Sequence, residues 1–239
     1  MSVLFACSKL IDDSLLRKLS LDGNVSLLDE NPYLPLPEAT HADMQILTVK
    51  DSLFVKRGVC LSFIGDLEKI SKRAVISGQD ALQKYPDCCS HNVLVCGNYY
   101  FHNTKVTDEN VKKYLEEIFY VPVDVKQGYS VCSSCYIDSL DLIITSDPGI
   151  MKASFKHSFN CYFVSSEITE NIKLDGYDHG FIGGCLGYFK EKNTLYVSGS
   201  LKENVPELYE LLRQANVTVI ESEKKELTDI GGIKCIVYK

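Results

Sequence analysis

His41 and Asp43 stand two residues apart in "HADMQILTV", a run whose apolar and β-branched residues read as a strand. At that spacing two strand side chains share a face. An imidazole that exchanges protons near neutral pH would then sit beside a carboxylate able to hold a cation. Asp178 and His179, in "GYDHGFIGG", form a second pair in which a carboxylate could orient an imidazole, although neighbours on a strand point to opposite faces. The ten cysteines include the lone CxxC of Cys132 and Cys135 and the adjacent Cys88 and Cys89. Zinc would require a second pair at ligand spacing, which Cys88 and Cys89 lack. A redox pair belongs at a helix N-terminus, whereas Cys132 and Cys135 lie in a strand-like run, so they read as structural thiols. "GFIGG" lacks the GKS/T ending and following helix of a phosphate loop, and its glycines read as space for a close backbone approach.

The elements that must position these residues belong to an ordinary globular chain of 239 residues, 45% hydrophobic and 24% charged. Its net charge of -7, with Lys and Arg scattered, presents no basic face and argues against nucleic acid as a partner. The apolar runs are far shorter than the roughly 20 residues of a membrane helix. "MSVLFACSKL" has neither a basic n-region nor a long enough apolar core for a secretory signal, so the expected location is cytoplasmic and the thiols reduced. No metal or cofactor is expected.

Five segments share one pattern, a polar or glycine-rich opening followed by small and apolar residues. They are "HADMQILTV" from His41, "HNVLVCGNYYF" from His91, "GYSVCSSCYI" from Gly128, "HGFIGGCLGYF" from His179 and "DIGGIKCIVY" from Asp229. Second strands follow most of them ("DSLFVKR", "DLIITSD", "NTLYVSGS"). Amphipathic helices come next ("DENVKKYLEEIF", "NVPELYELLRQA"), then a third strand ("YVPVDV", "NVTVIES"). The repeat is strand, strand, helix, strand, recurring about every 40 to 50 residues. The last unit stops after one strand, and "SVLFACS", "DDSLLRKLS" and "NVSLLDE" at the N-terminus supply the three elements it lacks. A ring in which both termini complete one repeat, formed as a single domain over residues 1–239, follows as the expectation. The stretch from Gly58 to Cys89 fits this pattern least.

Five such units in a pseudo-fivefold ring resemble the pentein, or guanidine-modifying-enzyme, fold, an α+β five-bladed propeller of ββαβ repeats. "GGIKCIV" is similar to the Gly-Gly-x-x-Cys strand of dimethylarginine dimethylaminohydrolases, "HADMQILTVKDSLFV" to their early strand whose Asp grips guanidinium, and "GFIGGCLGYF" to their fourth-repeat strand. With "GYSVCSSCYI", these segments also resemble a family of short, uncharacterised bacterial pentein-like proteins. The resemblance implies a thiol that attacks a guanidinium carbon, a proton-shuttling histidine and carboxylates that hold the planar cation. It assigns Cys235 as the nucleophile and Asp43 as a substrate carboxylate; His41 and His179 are the candidate catalytic histidines, and Asp178 and Asp229 join Asp43 as candidates for substrate binding. Cys235 also reads as one more small packed residue among nine other cysteines. The third-repeat segment contains no histidine, whereas the enzymes draw theirs from that repeat, and His41 lies in another. Two functions follow: a small guanidine- or amine-bearing cation bound at the ring centre, with or without hydrolysis through Cys235, or a non-catalytic module that binds a protein partner.

Overall fold

A computed structural model describes residues 2–76 and 84–238. In chain order its strands are β1 (Ser2–Ser8), β2 (Asn24–Leu28), β3 (Ile46–Val49), β4 (Ser52–Val55), β5 (Val75–Ile76), β6 (Leu94–Cys96), β7 (Tyr99–His102) and β8 (Val121–Asp124). They continue with β9 (Ser134–Ile137), β10 (Leu142–Thr145), β11 (Asn160–Phe163), β12 (Leu186–Phe189), β13 (Thr194–Val197), β14 (Thr218–Glu221) and β15 (Ile233–Tyr238). They form five three-stranded sheets: β3-β4-β5, β6-β7-β8, β9-β10-β11, β12-β13-β14 and β15-β1-β2. In each sheet an antiparallel pair joins a parallel pair. The architecture is mixed α/β, with a helix between the strands of each parallel pair, as that crossover demands.

The terminal strands lie in one sheet. β15 runs antiparallel to β1, with Cys235 opposite Phe5 and Tyr238 opposite Ser2. The helices follow their sequence signals. Asp12 caps Asp13–Asp22 by accepting from Ser14 N at 2.9 Å, and Asp108 caps Glu109–Glu117 by accepting from Asn110 N at 2.9 Å. Pro206 opens Pro206–Gln214, where its missing N–H costs nothing. Apolar residues at helical spacing are buried, as at Val111 and Leu115 or Leu208 and Leu212, each worth about 1.5–3 kcal/mol. The difficult stretch contains a helix, Leu61–Lys69, before β5, and part of it lies outside the described residues.

Backbone repetition goes further than the residue pattern. The turn between the first two strands contains a left-handed residue at Lys50, Gly97, Asp141 and Asn193, and the second residue after four of the five crossover helices is left-handed, at Ser71, Phe119, Ser158 and Asn216. The five opening segments are not strands from their first residue. Each makes a turn or short helix before its strand begins at Ile46, Leu94, Ser134, Leu186 or Ile233. Local polar bonds outcompete the sheet there: His41 N donates to Glu38 O at 2.9 Å, Ser133 N to Tyr129 O at 2.9 Å and Gly231 N to Asp229 Oδ1 at 2.9 Å. These first strands are neighbours in space, β15 beside both β3 and β12, β12 beside β9, and β9 beside β6. The turns that precede them therefore converge.

Candidate functional site

The convergence encloses a cavity of about 250 Å³ lined by Glu38, His41, Tyr129, Cys132, Leu174, Tyr177, Asp178, His179, Phe181 and Asp229. His41 precedes the short helix Ala42–Gln45, and Asp43 stands in its first turn rather than on a strand. The expected proximity of the two nevertheless holds, because the turn brings Asp43 Oδ1 to 4.0 Å from His41 Nδ1. Asp229 Oδ1 lies 3.9 Å from the same nitrogen. Gly231 makes this possible: its φ is +73°, its carbonyl accepts from Asp43 N at 2.9 Å, and a Cβ there would collide with His41. Gly184 serves Asp229 in the same way, since a Cβ at that position would overlap the carboxylate.

Asp229 accepts from Phe181 N and Gly231 N, each at 2.9 Å. Burial pushes its carboxyl up to about 6, opposed by His41 and reinforced by Asp43. Glu38 Oε1 accepts from the hydroxyls of Tyr129 and Tyr177, each at 2.7 Å. Burial pushes the Glu38 carboxyl up, and the two hydroxyls hold it down. Four atoms of this cluster are buried without a hydrogen-bond partner: Glu38 Oε2, His41 Nδ1 and both oxygens of Asp43. Such groups are costly and rare in native structures unless something binds them.

Asn92, fully buried, ties the cluster together. Its amide donates to Asp43 O at 3.1 Å and Cys132 Sγ at 3.1 Å, and its carbonyl accepts from Val131 N at 2.7 Å and Cys132 N at 3.2 Å. This fixes Cys132 in the wall of the cavity. Burial, then Asp43 and Asp229, pushes its thiol far above the usual range.

Asp178 and His179 lie in a loop at the cavity mouth, exposed, not on a strand with opposed side chains. Gly176, with φ +91°, and Gly180, backed by Asp229, bend the chain there. His179 Nδ1 sits 3.0 Å from Gly180 O, and its ring meets Phe181 edge-on at 6.2 Å.

Cys235 is elsewhere. It lines a second cavity of about 190 Å³ with Asp43, Cys135, Lys234, Tyr136 and Tyr188, and it packs against the cluster of Phe5, Phe189 and Tyr196. Burial pushes its thiol up, with Lys234 opposing. Asp43 is the one assigned residue facing both cavities: it lines the second and approaches His41 of the first.

Two residues escaped the sequence reading. Glu38 is placed by a single helical turn, Leu36–Glu38, three residues before His41, a spacing that puts both on one side. Cys132 was visible only as half of a CxxC. Its partner Cys135 is on β9 and points to the second cavity, and all ten cysteines are free thiols. Among the described residues, no group of three or more His, Cys, Asp or Glu is arranged to hold a metal ion, and no helix is long and apolar enough to cross a membrane.

The fold matches solved structures of guanidine-modifying enzymes at low identity. A cysteine-to-serine variant of dimethylarginine dimethylaminohydrolase from Pseudomonas aeruginosa, complexed with citrulline, aligns at TM-score 0.55 and 13% identity, covering 92% of this chain and 91% of that one. An arginine dihydrolase from the ornithine-ammonia cycle in cyanobacteria gives 0.59 at 10% identity, over 100% of this chain but 39% of its own length. The C. jejuni agmatine deiminase gives 0.52 at 11% identity, covering 92% of this chain and 86% of that one. The fold is thus that of the penteins. No curated protein matches the sequence. A family model matches residues 6–234, and by that match the chain belongs to the family of unknown function DUF6873.

Proposed function

We propose that this protein binds a small guanidine- or amine-bearing cation in the cavity beside His41, at the centre of a closed, pseudo-fivefold ring of ββαβ repeats. The observation that carries the reading is the buried, unpartnered Glu38 Oε2 near Asp229, in a cavity with no Lys or Arg among its lining residues, with the unpartnered oxygens of Asp43 just beyond His41. A buried carboxylate needs a positive partner, and a planar cation with several N–H donors supplies both charge and hydrogen bonds. Ring closure is supported by Leu47 and Val49 of β3, which share a hydrophobic cluster with Val93 and Tyr100 beside β6. The guanidine chemistry of the three fold neighbours supports the ligand class.

Under this reading the bound cation is a candidate for C–N hydrolysis. A thiolate adds to the guanidinium carbon, the departing amine takes a proton from a histidine, and water then cleaves the thiouronium to a ureido product and restores the thiol. Cys132 is the thiol that shares the cavity with His41, and Cys235 is the one whose Gly-Gly-x-x-Cys segment resembles the enzymes' nucleophile strand. Isothermal titration with methylguanidinium and butylammonium tests binding, and ammonia release with single Cys132→Ser and Cys235→Ser variants tests turnover. Absence of heat with every cation rejects the reading.

A second reading is a binding module without chemistry. It is favoured by the thiols of both Cys132 and Cys235 being pushed up and by the lack of a histidine in the third-repeat segment. Saturable binding with no turnover for any guanidine supports it.

A further inference from the structure

The acidic groups of the cavity are spread from its floor to its mouth. Asp229 forms the floor, with Asp43 behind His41 and outside the lining, Glu38 stands in the wall with Oε2 free, and Asp178 lies at the exposed mouth. The aromatic rings of Tyr129, Tyr177 and Phe181 fill the lining around them, with Tyr129 and Phe181 5.7 Å apart. The nearest cations are committed elsewhere. Lys56, buried near Glu38, donates to Cys88 O at 2.8 Å and Ser90 Oγ at 3.0 Å, and Lys234 opens into the second cavity. The hydroxyls of Tyr129 and Tyr177, the donors nearest Glu38, are already spent on its Oε1.

We infer that the preferred ligand is a carboxylate-free dication, a guanidine or amine with a second amine at its far end, and that α-amino acids are excluded. This rests on the cation reading above and deepens it. A ligand whose inner cationic group reaches Asp229 beside His41 extends its other end toward Glu38 and Asp178, where a second cation finds two acceptors and aromatic faces. An amino acid would bring its carboxylate to that same acidic end. No Lys or Arg lines the cavity to receive it, so the anion meets like charge and loses its water without replacement. The cavity, about 250 Å³, is at the small end of ligand sites and suits a short chain.

The test is isothermal titration at pH 7.5 of the full chain with two matched pairs, agmatine against arginine and cadaverine against lysine, together with the monocation butylguanidinium. Agmatine and cadaverine are expected to bind at least tenfold more tightly than their carboxylated partners, and agmatine more tightly than butylguanidinium. Asp178→Asn, on the exposed mouth where folding is not at stake, is expected to weaken agmatine severalfold and butylguanidinium less, and Glu38→Gln to weaken agmatine more strongly than Asp178→Asn does. Arginine binding as well as agmatine, or butylguanidinium matching agmatine, overturns this inference and leaves the cation reading standing. No binding by any of the five compounds overturns both.

Discussion

Asp43 stands between two cavities that differ in charge, and the difference separates two thiols that the sequence treats alike. On one side are His41, Cys132, Asp229 and Glu38, with no Lys or Arg in the lining. On the other are Cys235, Cys135 and Lys234, whose ammonium is itself held down by burial while Asp43 favours its charge. The first cavity lacks a cation and the second already has one. Burial is the chief opponent of both thiolates; Cys132 also feels three carboxylates, Asp43, Asp229 and Glu38, whereas Cys235 has Glu191 against it and Lys234 in its favour. An incoming cation would relieve the first thiol and not the second.

The largest effect is expected where the geometry of the first cavity depends on one backbone position. Gly231→Ala forces a side chain at φ +73° into His41 and should cost about 3–4 kcal/mol in urea unfolding. A loss under about 1 kcal/mol would show that the His41 turn is not tightly built.

Next is affinity. Asp43→Asn removes an unpartnered buried acceptor and should weaken a bound guanidinium by about 2–3 kcal/mol, while Lys234→Met, in the second cavity, leaves affinity unchanged or raises it. Equal losses for both variants in titration calorimetry would erase the distinction between the cavities.

A smaller effect comes from pH. The Asp229 carboxyl is near 6 in the fold and near 3.9 when unfolded, so the folded state holds more protons between those values. Its contribution favours folding below about pH 4 and is lost as pH rises to about 6, a change of about 2 kcal/mol. Asp229→Asn should flatten that part of the stability curve, measured by denaturant titration at pH 4 and pH 7. Cation affinity should run the opposite way, falling as pH drops below 6 and Asp229 takes up its proton.

The smallest effect concerns the thiols. Both should alkylate slowly at pH 7, and a saturating guanidinium ligand should speed Cys132 severalfold with no change at Cys235, read by peptide-resolved mass spectrometry. Acceleration at Cys235 instead would move the site to the second cavity.

Much of the fold was legible because it rests on local signals. Apolar residues at helical spacing marked the helices Glu109–Glu117 and Pro206–Gln214, and the unfinished last unit together with "SVLFACS" foretold β1 beside β15. The openings of the repeats were misread as strands. Their polar residues bond to backbone a few positions away, and that competition is weak in any one residue and evident only in three dimensions.

The sequence by itself determined the repeat, the elements and the residues able to do chemistry, because propensity, capping and periodicity act over a few positions. It paired His41 with Asp43 on a premise of strand geometry that the structure replaces with a turn. Only the tertiary structure decided which side chains share a cavity. Side-chain direction where the repeats meet depends on how turns from distant parts of the chain abut, and a shift of one residue along a strand moves a thiol to the other face. Thus Cys132, Glu38 and Asp229 stand with His41, Cys235 lies beyond Asp43, and the charge left unpaired in the first cavity follows from that arrangement.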